Sequence, residues 1–527
     1  MSETQRHSAD PVEAFRRRSQ GSRRRPSTPI PGREWRTIAG LALLVTVGPW
    51  MLGSMKMWPQ IALFAISLLT FLQLFIPAHG RDEIPRRLLG KLLRFPVFWL
   101  GLALLVYIFI QALNPSLKVV HKDIPDWVIR EGTWMMVPVK HIDWLPTSVE
   151  APFRYMNAWR SLMLWAMPLL AMWTAWIGLS NRRSVVILLW IIGLNGAALG
   201  LVGLAQQLTG AELLLWNFEI PKHVLPFSSF YYRNHAAAYL YPTLGVCLSL
   251  FFYYQGRARR RMQRSHPGIM LLLLALTISV ALFASSSRGG ILMGGVLLGV
   301  FALLYLLSVL RSRSLRVALE AGVLGLVLCG VGYLAMMRFV DVESVKGRFE
   351  EFVGEEGKLA GDKSSDLRVM IWKATYDMYK EHPWLGWGGG SYRWAFRNYQ
   401  LKPEYEQLWR TYIVPKRSPP FYVYYSIKYA HSDLLQYLTE LGVAGGALLA
   451  GLTLSWIGLA IYYIRALDSE HVMLFVGGIV ALAHASFEFN LSNPTVLILV
   501  SLIVALGVTW MKLAPCLRQP DDNTETA

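Results

Sequence analysis

Long apolar segments recur along the chain, and shorter polar segments separate them. Most of them reach the roughly 20 residues that an α-helix needs to cross the hydrocarbon core of a bilayer. Twelve such segments can be placed, at 36–53, 58–77, 95–112, 158–179, 184–208, 235–254, 268–285, 289–310, 317–337, 433–464, 472–487 and 494–512. The pattern predicts an all-α polytopic membrane protein with about 12 transmembrane helices.

The polar segments divide the chain into parts with different expected structures. We expect a disordered basic cytoplasmic tail at 1–35, helices 1–9 at 36–337, a large loop at 338–432, helices 10–12 at 433–512 and a second cytoplasmic tail at 513–527. Two further loops, 113–157 and 209–234, are also long. The large loop is long enough for a small folded subdomain. Its apolar residues repeat at helical spacing from Ser364 to Lys380, which predicts an amphipathic helix there.

Basic residues in the short loops predict the orientation of the helices. The loops 78–94, 181–183, 255–267 and 311–316 are rich in arginine, and all four fall on one face if the N-terminus is inside. Short basic loops mark the cytoplasmic side of a membrane protein. Both termini are therefore predicted to be cytoplasmic, and the three long loops are predicted to be periplasmic.

Composition excludes several other classes of protein. Only 16% of the residues are charged and 54% are hydrophobic, whereas soluble domains carry about 25% charged residues. The net charge of +18 is explained by orienting loops and contacts with anionic lipid, so no nucleic-acid partner is expected. Three cysteines are too few for a disulfide framework, and no metal-ligand or nucleotide-binding motif is present.

Three basic side chains lie where predicted helices meet the periplasmic face. Arg233 stands in FYYRNH before the sixth helix, Arg288 in SSSRGG between the seventh and eighth, and His431 in YAHSDLLQ before the tenth. None of the three determines the predicted orientation, yet all three fall on the same side. A guanidinium suits phosphate oxygens, and a neutral imidazole can take a proton from a sugar hydroxyl.

Each arginine also has a structural interpretation. Arg288 could reach lipid headgroups, but a charge within a membrane segment favours a functional role, and the two glycines after it allow a ligand to approach the backbone. Arg233 alone is equally typical of an ordinary interfacial boundary. Asn234 and His235 beside it add modest support for a site, although His235 could simply be a hydrated residue at a helix start.

Further polar residues surround the histidine. Asp433, Gln436 and Glu440 share one face of the tenth helix, and they either support the site or form a buried network that holds this helix to its neighbours. Ser432 and Asp433 can each cap the start of this helix, and Asp433 with Gln436 also has the spacing of a capping box. His484 and Glu488 lie near the end of the eleventh helix. They could orient His431 or close the outer end of the bundle, and closing the bundle, a structural role, is preferred.

Five motifs resemble those of the O-antigen ligase and polymerase family of bacterial envelope enzymes, in the same order. They are RNHAAAYL at 233–240, SSSRGG at 285–290, HPWLGWGGGSY at 382–392, AHSDLLQYLTELGVAGG at 430–446 and HASFEFNLSNP at 484–494. The fourth is the most specific. The resemblance covers about 220–510, and the first third of the chain is similar only as a set of helices.

The resemblance implies a metal-independent, cofactor-free glycosyltransferase related to the GT-C class in the bacterial inner membrane. Such an enzyme takes a glycan from undecaprenyl diphosphate and passes it to a sugar hydroxyl of an acceptor glycan or of lipid A core. The family's roles carry over as donor diphosphate binding by Arg233 and Arg288 and action on the acceptor hydroxyl by His431. Membrane lipid is a further expected partner.

Polymerase is slightly favoured over ligase, because loop 113–157 and the last motif resemble exopolysaccharide-cluster members of the family. The alternative from another class is a transporter that flips a lipid-linked glycan. Transporters favour paired repeats and charges near the bilayer midplane, whereas this chain has no visible repeat and its charges lie at one edge. The sugar, the linkage and the involvement of a chain-length regulator stay open.

Overall fold

A computed structural model describes residues 29–77, 83–121, 134–220, 225–262, 266–312, 363–405, 408 and 427–514. These residues are mostly helical. Their α-helices are α1 Gly32–Trp50, α2 Met57–Leu72, α3 Glu83–Leu93, α4 Pro96–Leu113, α5 Ala158–Gly178, α6 Arg182–Leu208, α7 Arg233–Arg261, α8 Gly268–Ala284, α9 Arg288–Ser312, α10 Lys363–Glu381, α11 Tyr392–Gln400, α12 Asp433–Tyr462, α13 Ser469–Ala485 and α14 Pro494–Lys512.

The predicted apolar segments contain helices wherever the structure describes them. The ninth, 317–337, lies outside the described residues. Within the described part of the chain, 8 helices are long and apolar enough to cross a membrane, and α8 and α13 are shorter apolar helices. This finding confirms a multi-pass helical membrane protein. The count of twelve helices, their orientation and the relation to the GT-C class stay predictions.

The centre of the bundle is formed by α5, α7 and α14, whose residues are mostly buried. By contrast, α4, α9 and α12 bury only a minority of their residues and present apolar side chains outward. Small residues allow α6 to pack closely against α7: a methyl group at Gly193 would meet Cys247, and one at Gly196 would meet Thr243. Such small-residue contacts are the usual basis of helix packing in membranes.

The first long loop contains a small sheet, so the prediction of an all-α chain is wrong there. Strands β1 Pro115–His121, β2 Trp134–Pro138 and β3 Ser148–Glu150 form a sheet of order β2-β1-β3, with β2 antiparallel and β3 parallel to β1. Val119 and Val149 bury one face of it against Trp394. The strands are short and pair across intervening residues, so hydropathy windows suited to membrane helices do not detect them.

Two predicted basic loops are helical where they are described. Helix α3 occupies most of 78–94, and α7 continues through the arginines at 257–261 to the left-handed residue Met262. Arginine, leucine and alanine favour helix, and basic side chains in a last turn interact favourably with the helix dipole. The basic residues of these two segments therefore lie in helices and not, as predicted, in loops.

A subdomain formed by α10 and α11 packs against the start of α12. Helix α10 confirms the amphipathic helix predicted in the large loop, whereas α11 was not predicted. Ile371, Met378 and Phe396 lie in their shared core. The glycine-rich segment between them pairs with α12, where Gly388 N–H donates to the Glu440 carbonyl at 2.7 Å. Helix α12 is kinked at Gly442, which has φ 64° and ψ −173°.

Candidate active site

Four segments meet at one end of the bundle: the loop 486–493 and the starts of α7, α9 and α12. Asn234 Nδ2 in the first turn of α7 donates to Glu488 Oε2 at 2.5 Å, and Asn234 Oδ1 accepts from Ser287 Oγ at 2.9 Å just before α9. Asp433 N–H at the start of α12 donates to the Glu488 carbonyl at 3.3 Å. Helix starts carry unpaired N–H groups and partial positive charge, so this junction favours an anion.

His431 and Glu488 form a close pair at this junction. Nδ1 of His431 lies 3.0 Å from Oε1 of Glu488, and the two side chains are 28% and 2% exposed. Because a carboxylate only accepts hydrogen bonds, Nδ1 carries the proton in the neutral imidazole. Nε2 is then the basic nitrogen. The carboxylate thus orients His431 in the form that a general base needs.

The backbone of His431 is in an unusual conformation. Its φ is 53°, a left-handed value that costs free energy in a residue other than glycine. Neighbours on both sides hold it there: Trp372 Nε1 donates to the His431 carbonyl at 3.3 Å, and Phe489 meets the imidazole edge-on at 4.9 Å. Such strained conformations are concentrated at functional sites.

Glu488 is held ionised by its neighbours. Arg368 Nη2 of α10 lies 2.9 Å from Oε2, and the N–H of Phe489 donates to Oε1 at 3.2 Å. Burial raises the pKa of Glu488, but the hydrogen bond from His431 and the charge of Arg368 outweigh burial and lower the pKa to about 2. Glu488 is therefore an anion at neutral pH.

Arg233 and Arg288 are the first residues of α7 and α9, whose starts are joined through Asn234 and Ser287. Arg288 is exposed and Arg233 is half-buried. The close approach of these helices requires the glycines of SSSRGG. A methyl group at Gly290 would collide with Ala237 of α7, and one at Gly289 would collide with the His484 ring of α13. The helix starts that carry Arg233 and Arg288 thus lie together beside the His431–Glu488 pair.

Of the other predicted site residues, His235, Gln436 and Glu440 contact backbone groups or one another rather than His431. Gly390 N–H donates to Glu440 Oε2 at 2.9 Å, and Gln436 Nε2 donates to Glu440 Oε1 at 3.3 Å. His235 Nε2 lies 3.1 Å from the Phe489 carbonyl. The polar stripe of α12 is therefore a buried hydrogen-bond network, one of the two interpretations that the sequence allowed.

The predicted capping box of Asp433 and Gln436 is wrong. Ser432 is the capping residue, and its hydroxyl accepts from Leu435 N–H at 3.3 Å. The Asp433 carboxylate instead accepts from the N–H groups of Leu491 and Ser492, at 2.6 and 3.1 Å. It therefore anchors the loop that carries Glu488.

Sequence reasoning missed Arg368 and ranked the orienting role of Glu488 second. Arg368 lies on the predicted amphipathic helix, and its only distinguishing feature in the sequence is a basic side chain next to the apolar stripe. His484 is buried beneath the start of α9, and its Nδ1 has no hydrogen-bond partner among the described residues. In the same part of the chain, no group of at least 3 His, Cys, Asp or Glu residues could hold a metal ion.

Comparison with known proteins bears on this end of the bundle. Residues 270–450 match a sequence model described as O-antigen ligase. The match includes Arg288, Arg368 and His431, and it ends before Glu488. No curated protein matches the chain. Residues 270–450 are therefore similar to the O-antigen ligase family, the family that the motifs of the chain indicated.

Proposed function

We propose that this membrane enzyme of the O-antigen ligase and polymerase type transfers a glycan from undecaprenyl diphosphate to a sugar hydroxyl at the periplasmic face of the bacterial inner membrane. The observation that carries the proposal is the His431–Glu488 pair, with Nδ1 and Oε1 3.0 Å apart. It adjoins two helix starts that begin with Arg233 and Arg288. This junction would thus supply a base, His431, for the acceptor hydroxyl and positive charge, from Arg233 and Arg288, for the leaving diphosphate.

His431 acts on the acceptor. Its Nε2 takes the proton of the sugar hydroxyl while the oxygen attacks the anomeric carbon of the donor glycan. A new carbon–oxygen bond forms as the bond to the diphosphate breaks, and the bonding electron pair leaves with the diphosphate. The imidazolium that results is stabilised by the Glu488 carboxylate, as a histidine base is stabilised by a buried carboxylate in other enzymes.

Arg233 and Arg288 receive the leaving group. Two guanidinium forks can bind diphosphate oxygens in pairs, and the unpaired N–H groups at the starts of α7 and α9 add favourable dipoles. These groups stabilise the charge that develops on the diphosphate. Arg368 has a different role, because its contact with Glu488 at 2.9 Å keeps that carboxylate charged and in position.

A single displacement of this kind inverts the configuration at the anomeric carbon. The hydroxyl approaches opposite to the diphosphate, so no glycan becomes attached to the protein. Analysis of the linkage in the product by NMR tests this step. A product with retained configuration would contradict the single displacement.

Three outcomes distinguish polymerase, ligase and transporter. Lipid-linked glycans are extracted from cells with the native protein or with His431→Ala and are sized by mass spectrometry. Single repeat units on the lipid in the variant indicate a polymerase, the slightly favoured activity, whereas long chains on the lipid indicate a ligase. Unchanged glycans at equal expression would remove His431 as the base and favour a transporter.

The control for this experiment is His141→Ala. His141 has a side chain exposed to 29%, almost the same fraction as His431, and its Nε2 also faces a carboxylate, Asp143, at 3.1 Å. That carboxylate is 93% exposed, so the pair lacks a buried anion. His141→Ala should leave the glycan sizes as they are in the native protein.

A further inference from the structure

A second basic region lies beside the proposed active site. A cavity opens between the starts of α5, α12 and α14. Its lining includes three cationic residues, Arg160, Arg393 and Lys428, and one acidic residue, Glu440. The two carboxylate oxygens of Glu440 are engaged by backbone N–H groups and by Gln436. Among the described lining residues, cationic side chains thus outnumber carboxylates.

Arg160 is the strongest indication of an anion. The residue is only 6% exposed, and its guanidinium donates to Gln60 Oε1 at 2.7 Å and to the carbonyls of Arg154 and Met55 at 2.9 and 3.4 Å. All three acceptors are neutral. Among the described residues no carboxylate pairs with it. A buried charge normally requires a counter-charge, so Arg160 is suited to a bound anion that the described residues do not supply.

The cavity adjoins His431 but is separate from the starts of α7 and α9. Tyr429 lines the cavity and stacks on Phe489 at 4.5 Å, and Phe489 meets the His431 ring at 4.9 Å. Burial raises the pKa of Tyr429, and the positive charges of Arg393 and Arg160 oppose this effect. Two stacked rings thus stand between the second basic region and the proposed base.

Apolar residues line the part of the cavity that lies further along the helices. Leu164 follows Arg160 by one turn of α5, and Leu497 lies in the first turn of α14. A site with cations at the end of the helices and apolar side chains beyond them suits an anionic headgroup with a lipid chain. The proposed donor diphosphate has its own arginines, so the group that remains to be placed is the acceptor.

We propose that this cavity binds a phosphate or diphosphate group of a lipid-linked acceptor and so presents the acceptor hydroxyl to His431. The proposal rests on the proposed glycan transfer and adds the site that holds the acceptor. The same chemistry has two sources: the diphosphate of a second polyprenyl-linked glycan, as a polymerase requires, or a phosphate of lipid A core, as a ligase requires.

The number of diphosphate molecules bound to the protein tests the proposed acceptor site without requiring glycan transfer. Native mass spectrometry of the purified full chain with farnesyl diphosphate should show two bound molecules for the native protein and one for Arg160→Gln. Arg288→Gln should also retain one, because it affects the donor site. The matched control is Arg154→Gln, an exposed arginine six residues from Arg160, which should retain two.

Transfer kinetics identify the source of the phosphate. Acceptors are a polyprenyl-diphosphate-linked repeat unit in one arm and lipid A core, with or without its phosphates, in the other. In the arm that supports transfer, Arg160→Gln should raise the acceptor KM about tenfold or more, which is the loss of one charge-assisted contact. The donor KM should not change, and Arg160→Lys should restore most of the binding.

The outcomes separate this proposal from the proposed function. If Arg160→Gln retains two farnesyl diphosphate molecules and the native acceptor KM, the acceptor site is refuted while glycan transfer stands. If the native protein transfers glycan in neither arm, the proposed function fails, whatever the count of bound molecules. Should Arg160→Gln not fold, Arg393→Gln, which changes another cation of the lining, decides, with the same expected changes.

Discussion

Replacement of Glu488 by glutamine tests whether this carboxylate serves His431. The change preserves the size of the side chain and removes one buried negative charge. In the native protein, Oε1 lies 3.0 Å from His431 Nδ1 and Oε2 lies 2.9 Å from Arg368 Nη2. The variant keeps one oxygen that can accept from Nδ1, but its amide NH2 replaces an acceptor with a donor, and the charge that stabilises the protonated form of His431 is lost.

The low pKa of Glu488 reflects contacts that favour its charged carboxylate. Burial raises this pKa, yet the hydrogen bond from His431 and the charge of Arg368 lower it from 4.5 to about 2. A difference of about 2.5 in pKa corresponds to about 3 kcal/mol in favour of the ionised form. One charge-assisted hydrogen bond contributes about 1.5–3 kcal/mol, so its loss from the imidazolium in the transition state slows the reaction about 10- to 100-fold. We expect this decrease in kcat, with an unchanged donor KM.

Single-turnover transfer from a lipid-linked donor, measured across pH, is the appropriate assay. Glu34→Gln is the matched control, because Glu34 is also 2% exposed and accepts from the N–H groups of Ser180 and Asn181 at 2.9 Å. It lies beside the end of α5 opposite to Arg160, so its loss should affect stability and not kcat. A folded Glu488→Gln protein with native kcat and pH profile would refute the pairing argument.

Four further predictions concern stability, packing and ions. The pKa of Glu488 is lower in the folded protein than in the unfolded protein, so its stabilisation is present above pH 4.5 and is lost as the pH falls toward 2. In Glu488→Gln, the midpoint of unfolding should therefore depend less on pH over this range. Gly289→Ala should reduce activity by pushing α9 away from His484, whereas Gly295→Ala, which meets open space, should not. Gly442→Ala should lower the free energy of unfolding by about 1–3 kcal/mol, because its φ of 64° and ψ of −173° suit only glycine; Gly458→Ala, with open space in the same helix, is the control. Transfer should persist in EDTA, and loss of activity that Mg²⁺ restores would contradict arginine-only binding of the diphosphate.

The helices could be predicted because each depends on a continuous apolar segment. A helix crosses a bilayer if about 20 consecutive residues are apolar, so each segment can be predicted without its neighbours. The sheet of the first loop does not have this property. Its strand β3 has 3 residues and pairs with β1 more than twenty residues away, and neither strand is stable without the other.

The partners of the candidate site could not be predicted for the same reason. His431 and Glu488 are 57 residues apart, and Arg368 and Glu488 are 120 residues apart. Only the packing of α10, α12 and α13 brings them together. For Asp433, by contrast, a local pattern predicted the wrong partner. Its spacing to Gln436 fits a capping box, but its carboxylate binds a loop 58 residues away. Local patterns identify candidate residues, but the fold decides which of them meet.

Glu488 connects the two halves of the proposed reaction. One carboxylate oxygen accepts from His431, and the other accepts from Asn234, which accepts in turn from Ser287 beside the first turn of α9. A proton arrives on His431 while negative charge moves onto the diphosphate near Arg288. A buried anion between these two places stabilises the first change, and the helix starts stabilise the second. Because both depend on groups fixed before the substrate binds, the geometry of loop 486–493 should control kcat more strongly than the affinity for either substrate.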